Sequence, residues 1–141
     1  MALKSLFPEE MMESKANSSL TLETIAGKLS YFHEQLHLLH WQTTSYAEHQ
    51  ALGIIYDKVA DLQDEIVEKI MGYAGKRVKA FKIDVLKDYT SGMPNIVVKE
   101  LVKFAKDLEE FGEVNNMPDI ENIAQSLSGE ASQALYRLSL S

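Results

Sequence analysis

Cysteine is missing altogether from the 141 residues. That removes any disulfide framework and fits a reducing, cytoplasmic setting. Proline (3) and glycine (7) are scarce, so turns are few and elements long. No apolar stretch reaches the roughly 18 residues of a membrane span. The first twenty residues carry Glu9, Glu10 and Glu13 and hold no apolar block of the signal-peptide kind. Positive charge is in short supply: 14 Lys and Arg against 21 Asp and Glu leave −7. That balance disfavours non-specific binding to DNA and suits attraction of small cations. What is present is a globular composition, 45% hydrophobic and 25% charged. It excludes a disordered chain and predicts one domain over 1–141.

The apolar pattern is helical. Leu22, Ile25, Leu29, Phe32, Leu36 and Leu39 form one seam at spacings of three and four, predicting a helix over 22–43 with Thr21 as its N-cap. The polar segment Trp41 to Tyr46 breaks it, and a second helix follows over 47–74. Its seam runs from His49 and Leu52 through Tyr56, Val59, Gln63, Ile66 and Ile70 to Tyr73, and Gly72 and Gly75 end it. A connection from Gly75 to Pro94 is too long for a hairpin, and Val85, Leu86 and Tyr89 suggest a short helical turn inside it. A third helix after Pro94 uses Val97, Leu101, Phe104, Leu108 and Phe111. A fourth starts at Pro118, with Ile120, Ile123, Leu127, Ala134, Leu135 and Leu138 on its buried side. The expected fold is all-α, a four-helix bundle with a long crossover between its second and third helices. Residues 1–18 read as a tail that docks or stays mobile.

All four histidines fall between positions 33 and 49. His33, His37 and His40 share a face of the first helix, and His49 opens the second. The short turn between these helices puts His40 and His49 at the same end of the pair, where neutral imidazoles are good ligands for iron, zinc or copper. The second helix carries Asp57, Asp61, Asp64, Glu65 and Glu68. Asp64 and Glu68 are i, i+4 neighbours, about 60° and 100° around the helix from His49. Asp64 is also about 22 Å along the axis from His49, so one chain cannot close a metal site from both pairs. Two chains with antiparallel helix pairs about a twofold axis can. The plainer alternative stands beside this one: histidines bonded to local acceptors or to the helix dipole, and carboxylates on a solvated face.

The stretch from Leu36 to Ile70 resembles the Dps family, the DNA-binding proteins from starved cells, within the ferritin-like superfamily. Leu36-His37-Leu38-Leu39-His40-Trp41 is similar to that family's L-H-x-x-H-W, and Asp64-Glu65-Ile66-Val67-Glu68-Lys69-Ile70 to its D-E-x-x-E-R-[IL]. His49 matches its second-helix histidine in spacing, Tyr56 falls where a tyrosine is common, and Gly75 to Tyr89 resembles its helix-bearing crossover. The resemblance implies a ferritin-like bundle and a ferroxidase assembling as a hollow dodecamer. It also implies ferric storage, with iron held between twofold-related subunits by His40 and His49 of one chain and Asp64 and Glu68 of the other. Trp41 would lie beside that site. Iron is then the expected metal, with zinc and manganese as alternatives, and a homo-oligomer the expected partner.

Two departures point elsewhere. Gly53 stands where that family has a liganding aspartate, and the link from His40 to His49 is shorter than usual. They support the competing expectation, an assembly or scaffold protein that has lost the oxidation site. DNA is not an expected partner. The first twenty residues hold only Lys4 and Lys15, and Lys76, Arg77, Lys79, Lys82 and Lys87 read better as a solvated crossover.

Overall fold

The computed structural model describes residues 20–141. The expected tail at 1–18 lies outside the described residues. Four helices form the bundle: α1 (Leu22–Gln42), α2 (Tyr46–Ala74), α3 (Met93–Val114) and α4 (Pro118–Leu138). Each boundary has a local cause. Thr21 and Thr24 cap α1 reciprocally, each hydroxyl accepting from the other's backbone N–H at 3.2 and 2.7 Å. Ser45 caps α2 through the Glu48 N–H, and Gly75 ends it in the left-handed region at φ 67°. Pro118 opens α4, where its missing N–H costs nothing.

α1 pairs with α2 and α3 with α4, while α2 packs on α4 and α1 touches α3. The predicted seams meet at the centre. Leu29, Leu36, Leu39, Leu52, Ile66, Leu101, Leu108, Ile120 and Leu127 are wholly buried. At about 1.5–3 kcal/mol per large side chain taken from water, this core is the main stabilising term. Among the described residues, no helix is long and apolar enough to cross a membrane.

The crossover departs from expectation. It carries no helix between Gly75 and Met93, and Val85 is exposed. Instead it runs extended and parallel to α1, held by side chains of that helix. Glu23 accepts from the Lys79 N–H at 2.8 Å. Gln35 accepts from the Lys87 N–H at 2.8 Å and donates to the Lys87 carbonyl at 2.9 Å. Gln42 accepts from the Tyr89 N–H at 2.7 Å and donates to Asp88 at 2.9 Å. The reach explains the conformation. From Glu23 to Gln42 α1 rises about 28 Å; the ten steps from Lys79 to Tyr89 cover about 33 Å extended but only about 15 Å as a helix. Gly27 lets the extended segment lie close, since a Cβ there would sit 2.6 Å from the Lys82 carbonyl oxygen.

Candidate functional site

The turn between α1 and α2 fixes the geometry of the histidines. Only Thr43, Thr44 and Ser45 link the helices. Glu48 braces them, accepting from the Thr43 hydroxyl at 2.6 Å and from the Tyr89 hydroxyl at 2.7 Å. Across this turn His40 and His49 hold each other by a reciprocal pair of bonds. His40 Nδ1 donates to the His49 carbonyl at 2.7 Å, and His49 Nδ1 donates to the His40 carbonyl at 2.9 Å. Their rings stack at 3.8 Å and 17°. A carbonyl only accepts, so each Nδ1 carries hydrogen and each neutral ring keeps its lone pair on Nε2.

Gly53 belongs to this arrangement. A Cβ at position 53 would lie 3.0 Å from His40 Cε1 and 3.2 Å from its Nδ1. The imidazole lies against the α2 backbone, in the space that an added aspartate would have to enter. The residue is a packing glycine, which gives a physical reason for its place inside a helix.

The imidazole row continues down α1. His37 packs on Tyr56 at 4.1 Å and 18° and on Trp41 at 3.9 Å and 38°. Desolvation by these neighbours, then the nearby His33, pushes the His37 pKa down; Glu34 opposes the shift and His40 adds to it. His33 meets Glu34 Oε2 through Nδ1 at 3.1 Å and presents its ring to Tyr56 at 5.6 Å. Successive ring centres are 5.8 Å apart for His33 and His37 and 6.1 Å for His37 and His40. At the rim, Trp41 is 66% and Tyr46 75% exposed. Those are large values for aromatic residues beside ordered neighbours.

The structure therefore brings His40 and His49 together and leaves Asp64 and Glu68 apart from them. Both carboxylates are exposed on later turns of α2. Among the described residues, no group of three or more histidine, aspartate or glutamate side chains is placed to hold a metal ion. Two structural features carry little signal in the sequence. Gln35, wholly buried, clamps the crossover; its signal was an amide on the apolar seam between Phe32 and Leu39. The exposed Trp41 and Tyr46 were read only as turn residues or neighbours of a metal. A second concavity, between α1, α3 and the crossover, is lined by Tyr31, Phe32, Val85 and Phe104 with Lys28 and Lys103. Burial, then Glu100 and Asp84, raise the Tyr31 hydroxyl pKa there.

Comparison with known proteins corrects the family resemblance. Residues 40–138 match a family of unknown function, DUF5856. The chain is also 27% identical over 136 residues to the "Uncharacterized 14.6 kDa protein in mobD-ri intergenic region" of Enterobacteria phage T4, covering 95% of each. No solved structure matches. The likeness to the Dps family rested on short motifs within Leu36 to Ile70, whereas the DUF5856 match runs from the end of α1 through α4. The chain belongs to DUF5856.

Proposed function

For a member of this family we propose a role in assembly rather than oxidation: a helical module that pairs with a second copy of itself through its α1–α2 face. The observation that carries this reading is the exposed Trp41 and Tyr46 beside an ordered imidazole row. Large aromatic surface at the rim of a fixed face is typical of binding anchors. The charge layout supports an isologous pairing. Imidazoles occupy the turn end of the face. Asp64 and Glu68 lie exposed beyond the midpoint of α2, about 60° and 100° around the helix from His49. An antiparallel twofold arrangement sets each imidazole end against the partner's acidic end.

Gly53 favours this reading over iron oxidation. Its place is explained by the His40 ring, so no lost ligand is needed to account for it. Native mass spectrometry and sedimentation of the full chain test the proposal. The expected result is a dimer that Trp41→Glu with Tyr46→Glu converts to monomer with an unchanged helical spectrum. A parent chain that stays monomeric at its highest soluble concentration would overturn it.

A further inference from the structure

We infer that His33 and His37 form a chelating site for a borderline divalent transition-metal ion, of the copper(II), nickel(II) or zinc(II) class. The two residues are one helical turn apart on α1, the spacing at which side chains meet. A shared ion with metal–nitrogen bonds of about 2.0–2.1 Å limits two imidazole centres to a separation of about 6.4 Å. The observed 5.8 Å lies inside that limit and about 0.6 Å beyond the separation of a tetrahedral pair, a difference that a small rotation of either imidazole removes. His40 and His49 do not meet the same requirement. Stacked at 3.8 Å and 17°, their lone pairs lie in nearly parallel planes and cannot converge on one ion.

The hydrogen bonding points the same way. His33 Nδ1 is directed at the Glu34 carboxylate, which favours hydrogen on that nitrogen and leaves Nε2 as a ligand. A carboxylate behind a ligating imidazole is the usual supporting partner. The His37 ring is positioned by Tyr56 and Trp41, yet neither of its nitrogens has a hydrogen-bond partner among the described residues. A half-buried imidazole with both nitrogens unpaired, beside a second one aimed by a carboxylate, suits a cation with affinity for nitrogen. Two nitrogens and no oxygen ligand disfavour magnesium and calcium, and copper(II) should bind most tightly of the divalent series. Water completes the coordination. Both ligands come from one chain but lie on the α1–α2 face proposed to pair, so the site is read on single chains.

The chain reports on its own site, because Trp41 is the sole tryptophan and its ring is 3.9 Å from His37. Untagged full-length protein would be titrated with copper(II) chloride and nickel(II) chloride, at a dilution where native mass shows single chains. Tryptophan emission should be quenched saturably at one ion per chain, and magnesium chloride should leave it unchanged. His33→Gln, which leaves the Trp41–His37 contact in place, should weaken binding at least tenfold with an unchanged circular dichroism spectrum. His49→Gln should leave the affinity as in the parent. Zinc would be read by its competition with nickel. Quenching that does not saturate, an unaltered affinity in His33→Gln, or an equal loss in His49→Gln would overturn the assignment.

Discussion

Gly53 and Gly129 both interrupt helices, for different reasons that a single substitution separates. An alanine at position 129 meets nothing within 4 Å, so Gly129→Ala should stabilise the protein by about 0.5–1 kcal/mol through helix propensity alone. At position 53 the same change presses on the His40 ring, which is tied to the His49 carbonyl and stacked on the His49 ring. Gly53→Ala should therefore forfeit that gain and lower stability. Urea titration of the two variants should show midpoints moving in opposite directions. This difference was not legible in the sequence. Each is a glycine within a helical apolar pattern, and Gly53 reads as a missing ligand. Its cause is a ring thirteen positions earlier, brought over it only by the exact way α1 and α2 turn back on each other.

The crossover is the element whose path the sequence hid. Its helical neighbours were legible because burial repeats every three or four residues, and Leu29, Leu36, Leu52, Leu101 and Leu127 all lie where that period puts them. An extended strap has no such period. It is held by main-chain bonds to Glu23, Gln35 and Gln42, and every residue except proline supplies a main-chain N–H. Its upper end is fastened by the Tyr89 hydroxyl on Glu48, and this bond has a pH signature. The hydrogen bond first, then desolvation and the Glu48 charge, raise the Tyr89 pKa above that of a free phenol. The folded state thus keeps a proton that the unfolded state releases, and this contribution is complete below about pH 10 and fades as pH rises beyond it. Between pH 9 and pH 11 the parent should lose stability more steeply than Tyr89→Phe, as measured by denaturant midpoints. Parallel slopes would show that the bond does not fasten the strap.

At the scale of the whole molecule, the class and helix order were legible, and the family was not. The motifs such as Leu36 to Trp41 span a quarter of the chain, whereas the family match spans residues 40–138, so they carried less than their order suggested. The His40–His49 pairing was legible from the short turn; its use of both Nδ1 atoms on carbonyls was not, because backbone acceptors leave no mark in a sequence. The strap has one more consequence. It is the covalent tie between two hairpins, α1–α2 and α3–α4, that otherwise meet through side chains. The covalent link raises the effective concentration of one hairpin at the other, and this adds to the hydrogen bonds the strap itself makes with α1. Trypsin cleavage at the exposed Arg77 or Lys79 should yield two hairpins that remain together on gel filtration and separate on dilution. The cut would turn one folding unit into a bimolecular complex.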